Sequence, residues 1–112
     1  MERVSEGEKE YRGGDSGVKY LFRGPKLDWG VILLKPGERL GEHLHREVEE
    51  TFYILKGTPM MFVNGQGYRT SVGDAFRIEA PDRHCLDNDT AEEAKVVFIK
   101  TPYLPDDKES VE

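Results

Sequence analysis

The chain has 112 residues, a net charge of −6 and a pI near 5.1. This length corresponds to one domain with one hydrophobic core, and the acidic balance argues against a broad basic surface for nucleic acid or anionic membrane. No run approaches the ~20 apolar residues that span a bilayer, and the N-terminus is polar and unlike a signal peptide. The single cysteine, Cys85, fits a reducing compartment. We therefore expect a cytoplasmic protein that binds a small molecule, with no nucleic-acid or membrane partner.

In chain order, residues 1–16 are rich in charge, Ser and Gly and have no convincing period, which predicts an N-terminal arm. Short apolar runs separated by Gly, Pro, Asn and Asp then follow: VKYLF, WGVILL, TFYIL, MMFV, SVGDAFRI and KVVFI. Their length and their content of Val, Ile, Phe and Tyr favour strands. We expect an all-β domain over residues 17–102, an antiparallel sandwich or barrel.

Two further segments have local signals. The dipeptide Asn64-Gly65 predicts a tight hairpin, because a type I′ turn needs positive φ at both central residues. The C-terminal sequence PYLPDDKESVE contains two prolines and then mostly charge. We expect residues 103–112 to form a tail that wraps the surface or frays.

All three histidines lie in two short segments, GERLGEHLHREVEETFYILKG and GDAFRIEAPDRHCLDN. His43 and His45 are two residues apart, so on a strand both imidazoles point to one face, as a shared metal ion requires. A strand that resumes at Glu50 can direct this carboxylate to the same place, with Phe52 and Ile54 lining the cavity. Three imidazoles and one carboxylate suit a divalent first-row metal such as Fe, Mn, Ni, Cu or Zn.

These two segments resemble the signature motifs of the cupin family. The first motif runs Gly, five residues, His-x-His, three or four residues, Glu, six residues, Gly. The chain supplies it in full, as Gly37, His43, His45, Glu50 and Gly57. Glu49 fits the shorter option after His45 but leaves seven residues before Gly57, so Glu50 is the preferred carboxylate.

The second motif is matched in part. Gly73, His84 and Asn88 stand at the family's separations, whereas Glu79-Ala80-Pro81 occupy the positions of the usual Pro-x-Gly. We expect a reshaped loop before His84 rather than a lost strand. Glu79 is either an acid or base at the cavity mouth or, as the favoured alternative, a solvated turn residue. Asn88 either hydrogen-bonds near the site or is an ordinary turn residue.

The resemblance implies a double-stranded β-helix, or jelly-roll barrel, of two antiparallel sheets with a metal inside it. It further implies one divalent transition metal ion per chain, bound by His43, His45, Glu50 and His84. The residues expected to form a substrate pocket are Phe52, Ile54, Met61, Ile78, Leu86 and Asn88.

The cupin family includes dioxygenases, decarboxylases and isomerases as well as non-catalytic binding modules, so fold alone does not select a function. The complete ligand set favours a metal-dependent enzyme acting on a small oxygen-bearing substrate. The alternative is a sensing or binding module in which the metal anchors a ligand, since no inward Tyr, Lys, Asp or second Glu is assignable as a general acid or base. A purely structural metal site is disfavoured, because such sites usually take cysteine-rich sets. The resemblance also implies a homodimer, which the outward apolar residues Tyr53 and Leu55 favour.

Overall fold

The computed structural model describes residues 1–111, and within them ten strands and one short 3-10 turn, Glu6–Glu8, are present. The strands, in chain order, are β1 Gly17–Arg23, β2 Asp28–Leu34, β3 His43–Leu44, β4 Glu49–Lys56, β5 Met60–Val63, β6 Gln66–Arg69, β7 Ala75–Ile78, β8 His84–Asp87, β9 Ala94–Thr101 and β10 Glu109–Ser110. No helix in the described part of the chain has the length and apolar character needed to cross a membrane.

The strands form two five-stranded sheets, in the orders β1-β2-β9-β4-β7 and β10-β3-β8-β5-β6. All neighbouring strands pair in the antiparallel sense. The order crosses between non-consecutive strands, as in a jelly roll rather than a simple meander. The predicted fold, an all-β double-stranded barrel of two antiparallel sheets, is confirmed.

Alternation along the strands creates the core. In β4, Phe52 and Ile54 are buried, while Tyr53 and Leu55 are 45% and 46% exposed. Phe52 lies opposite Phe98 of β9, and the side chains of this face pack into one apolar cluster. Period-two patterning therefore sends one face of β4 into the barrel and leaves the other on the surface.

The predicted hairpin at Asn64-Gly65 is also confirmed. It joins β5 to β6, and the two residues have φ angles of 50° and 83°. Met61 on β5 is fully buried, whereas its neighbour Met60 is only partly buried, as alternation requires.

Both chain ends pack against the barrel. Lys19 on the outer side of β1 donates from Nζ to the carbonyl of Glu6 at 2.9 Å, which fastens the N-terminal segment to the first sheet. At the other end, β10 extends the second sheet by pairing with β3, where Ser110 lies opposite His43. The C-terminal segment thus reaches the strand that carries the first histidine.

Candidate metal centre

Four side chains place one donor atom each within 4.8 Å of one another: His43, His45, Glu50 and His84. From Glu50 Oε1 the distances to the Nε2 atoms are 3.8 Å for His43, 3.0 Å for His45 and 3.2 Å for His84. All four side chains are largely shielded from solvent. The structure thus brings together the complete set named from the sequence.

Strand register explains this convergence. His43 of β3 lies directly opposite His84 of β8 in the second sheet, and His45 follows His43 by two residues. Glu50 comes from β4 in the facing sheet, so the group lies between the two sheets. Glu49 points to the outer surface, where its Oε1 lies 3.8 Å from Arg77 Nε. Strand parity therefore places Glu50 rather than Glu49 beside the histidines.

Each imidazole is oriented by a backbone carbonyl. Nδ1–H of His43 donates to Gly41 O at 3.0 Å, and Nδ1–H of His84 donates to Asp82 O at 3.1 Å. Nδ1–H of His45 donates to the carbonyl of Asp107. A carbonyl oxygen only accepts, so Nδ1 carries a proton in each ring. Nε2 then either donates a second proton to Glu50 in the imidazolium form or presents its lone pair to the centre in the neutral form. Donation from Nδ1–H to a carbonyl is how metal-binding histidines are usually held by their surroundings.

The electrostatics of the group fit a cation. Burial opposes ionisation of Glu50, but hydrogen bonds with His43, His45 and His84 hold the pKa of this carboxyl well below its ordinary value. Burial acts to lower the pKa of His45, but Glu50 and the Asp107 carbonyl together raise it. Three nitrogen lone pairs and an anionic oxygen repel one another unless positive charge lies among them. This N₃O donor set suits a divalent transition metal.

A cavity of about 180 Å³ adjoins the four donor atoms. Phe52 and Leu86, both expected in the pocket, line it. Ile54, Met61 and Ile78 do not line it and pack instead in the apolar core. Parity turns all of these side chains inward, but it does not give their depth along the barrel. In β4, Ile54 lies beyond Phe52 on the side away from Glu50.

Asn88 also lies away from the cavity. Its Nδ2 donates to Leu34 O at 3.0 Å and to Glu92 O at 2.8 Å, and its Oδ1 accepts from Thr90 Oγ1 at 2.7 Å. It is fully buried and anchors the loop between β8 and β9. The family position of Asn88 therefore serves loop structure here.

The altered loop before His84 keeps both flanking strands, β7 and β8. A turn in which Asp82 N donates to Glu79 O at 2.9 Å connects them, and the Glu79 side chain is exposed and does not line the cavity. Asp82 then supplies the carbonyl that orients His84. Neither flanking strand is lost.

Four polar or charged residues that sequence reasoning missed also line the cavity: Arg12, Tyr20, Lys100 and Lys108. Lys100 of β9 lies opposite Glu50 of β4, and its Nζ donates to the hydroxyl of Tyr20 at 2.6 Å. Burial, followed by the charges of Arg12 and Lys100, lowers the pKa of Lys108. A signal for Lys100 exists in the sequence, because it continues the inward alternation of Val96 and Phe98.

The C-terminal segment supports the centre through Asp107. Its Oδ1 accepts the backbone N–H of Arg46 at 2.8 Å, and its Oδ2 accepts those of Glu47 and Val48, each at 2.8 Å. These three residues form the link between His45 and β4. Burial raises the pKa of Asp107, but the three N–H groups outweigh it and lower the pKa overall. One residue thus holds both the His45 ring and the loop that leads to Glu50.

Comparison with known proteins agrees with this architecture. A family model described as "Cupin domain" matches residues 30–100. The chain belongs to the cupin family. It is 32% identical over 76 residues to a protein named Polyketide synthase CurC from Streptomyces cyaneus, a match that covers 68% of this chain and 49% of that protein. It is 28% identical over 68 residues to the HTH-type transcriptional regulator PuuR of Escherichia coli, which covers 61% of this cupin and 37% of the regulator.

A solved structure extends the likeness in fold to the whole chain. The crystal structure of a conserved protein with a double-stranded β-helix domain from Klebsiella pneumoniae aligns with a TM-score of 0.85 at 17% identity. The alignment covers 100% of this cupin and 98% of that chain. By contrast, this cupin spans about half the length of the first curated relatives that it matches.

We predict that Glu50→Gln lowers the affinity for Zn²⁺ by more than about 100-fold, because even residues behind metal ligands contribute about 10- to 100-fold. Elemental analysis and calorimetric titration measure this. Glu49→Gln is the matched control and should bind one Zn²⁺ per chain with unchanged affinity. Equal loss in both variants, or a wild-type protein without metal affinity, contradicts the prediction.

We predict that Asp107→Ala weakens metal binding by about tenfold and lowers the free energy of unfolding by about 1–3 kcal/mol, because three loop N–H groups lose their acceptor. Since the folded state lowers the pKa of Asp107, its contribution is present above the ordinary Asp pKa of about 3.9 and disappears as the pH falls through the lowered value. Denaturant titrations at several pH values and Zn²⁺ titrations of folded protein test both effects. Asp106→Ala is the control, and unchanged Zn²⁺ affinity in Asp107→Ala counts against the positioning role.

Proposed function

We propose that this cupin is a metal-dependent enzyme acting on a small oxygen-bearing substrate, in a reaction of the dioxygenase, decarboxylase or isomerase type. The observation that carries the proposal is the convergence of three Nε2 atoms and one carboxylate oxygen on a cavity that admits a small molecule. His43, His45, Glu50 and His84 would hold one divalent ion of Fe, Mn, Ni, Cu or Zn. Such an ion would supply Lewis acidity or orient a substrate.

The residues around the centre suit this chemistry. Phe52, Leu86 and Phe98 give the cavity an apolar wall that excludes water from a bound ligand. The Tyr20 hydroxyl and Lys100 Nζ, 2.6 Å apart, form a polar pair on the same cavity that is able to hold or move a proton. This pair supplies the inward Tyr and Lys that were not assignable from the sequence, and it supports an enzyme over a passive binding site.

The alternative is a metal-anchored sensing or binding module without turnover. The similarity to the HTH-type transcriptional regulator PuuR favours it, because a cupin segment in a regulator is expected to bind a ligand rather than consume it. Both functions require the same four donor atoms to bind a metal ion. They differ only in what happens to the bound molecule.

We predict that the protein, reconstituted with Fe²⁺, Mn²⁺, Ni²⁺, Cu²⁺ and Zn²⁺ in turn, converts at least one compound from a panel of diketones, hydroxy acids, sugar phosphates and oxalate. Mass spectrometry of the products and an oxygen electrode measure turnover. Glu49→Gln should retain the activity and Glu50→Gln should lose it. A metal-loaded protein that binds panel members and leaves all of them unchanged supports the binding module and contradicts the enzyme.

We also propose that the protein forms a homodimer through the outer face of the first sheet. Tyr53, Leu55 and Ile99 are 45%, 46% and 40% exposed on this face. Burying such apolar surface against a second copy removes it from water.

Light scattering after size exclusion at micromolar concentration should give about twice the chain mass of 12.8 kDa. The double substitution Tyr53→Ser with Leu55→Ser should shift the protein toward the monomer, whereas Val72→Ser, at a 61% exposed site between β6 and β7, should not. A monomeric wild-type protein excludes the homodimer.

A further inference from the structure

Three cationic side chains line the cavity beside the metal centre: Arg12, Lys100 and Lys108. They come from three separate parts of the chain, which are the N-terminal segment, the inner face of β9 and the C-terminal segment. Within residues 1–111, no carboxylate oxygen lies within 4.0 Å of their side-chain nitrogens. Their charges are therefore not neutralised by direct ion pairs in this part of the molecule.

The acidic groups nearest to this cluster are engaged elsewhere. Glu50 lies opposite Lys100 in the strand register but directs its Oε1 at the histidines. Asp28 lies opposite Lys100 on the other side, in β2, and its Oδ1 accepts the N–H of Gly24 at 3.1 Å. The Asp107 carboxylate is occupied by the three loop N–H groups described above. In the cavity beside the metal centre, three cations therefore face one carboxylate, that of Glu50. The same cations also line a smaller adjoining cavity with Asp28 and Asp107.

This arrangement is notable in a chain with a net charge of −6. Like charges gathered in a partly enclosed space repel one another, and the lowered pKa of Lys108 reflects burial and this repulsion from Arg12 and Lys100. An anion bound among the three groups relieves the repulsion. A positive cavity also concentrates anions from an otherwise repelling surface.

We propose that the ligand of this cavity carries an anionic group, a carboxylate or a phosphate, that Arg12, Lys100 and Lys108 bind. The guanidinium of Arg12 offers two parallel donors to such a group, and the lysines contribute point charges. A second oxygen of the same small molecule reaches the four-donor centre, and the apolar part lies against Phe52 and Phe98. Only this second contact rests on the proposed metal-dependent function.

The test is calorimetric titration of Zn²⁺-loaded and metal-free protein with malonate, its uncharged analogue malonamide, and inorganic phosphate. Malonate or phosphate should bind at least tenfold more tightly than malonamide. Arg12→Gln, Lys100→Gln and Lys108→Gln should each weaken anion binding roughly tenfold, the loss of one charge-assisted contact. The ratio of malonate to phosphate affinity distinguishes carboxylate ligands from phosphate ligands.

Two control variants, Lys56→Gln and Arg77→Gln, each remove one positive charge at a site away from the cavity. Lys56 lies at the end of β4 opposite Glu50, and Arg77 lies on the exposed face of β7. Both should bind malonate and phosphate as the wild-type protein does. Circular dichroism and elemental analysis establish that every variant is folded and has the metal content of the wild type.

The outcomes separate this proposal from the metal-dependent function. If the three cavity substitutions leave anion affinity unchanged, anions bind at the metal alone and the cationic subsite is disproved while the metal centre stands. If the protein takes up no metal but loses anion affinity in these variants, the subsite stands and the metal-dependent function fails. Absence of anion binding in wild-type protein, or equal affinity for malonamide, also overturns the proposal.

Discussion

The centre of this protein holds four donor groups together that repel one another once the three Nε2 atoms are unprotonated. The Nε2 atoms of His43, His45 and His84 and the oxygen of Glu50 point at one small volume between the sheets. Local extended geometry brings His43 and His45 to one face, and strand pairing, the backbone carbonyls behind each ring and the packed core complete the arrangement. Because the stability of a protein is marginal, this repulsion is costly unless a cation offsets it. The surrounding strands and loops form the frame that holds the four side chains together.

Much of this frame could be predicted from the sequence because it follows from strand parity and spacing. Residues two apart on a strand share a face, which predicts His43 beside His45 and separates Glu50 from Glu49. In the structure, β3 ends at Leu44 and His45 follows it directly. The turn at Asn64-Gly65 follows from the φ angles that a tight hairpin demands. These inferences need only local geometry, and the length and completeness of the first cupin motif link them to His84, which is distant in the sequence.

Other features could not be predicted because they depend on how distant segments meet. Parity indicated that Ile54 faces inward, but depth along the barrel decides that Phe52 rather than Ile54 lines the cavity. Arg12 and Lys108 belong to charged stretches without a period, and only tertiary packing brings them together. Lys100 could be predicted in part. The alternation of its strand indicates that its side chain points inward, but the sequence does not indicate its contact with Tyr20.

The position of Asp107 has a consequence for how the chain end and the centre depend on each other. One residue of the C-terminal segment holds the His45 ring and the loop that leads to Glu50. Linkage is reciprocal: if docking of this segment increases metal affinity by some factor, metal binding increases docking by the same factor. With a metal bound at the four donor atoms, the C-terminal segment would behave thermodynamically as a second, tethered ligand of the centre. Truncation of this segment and removal of the metal would then perturb a single equilibrium.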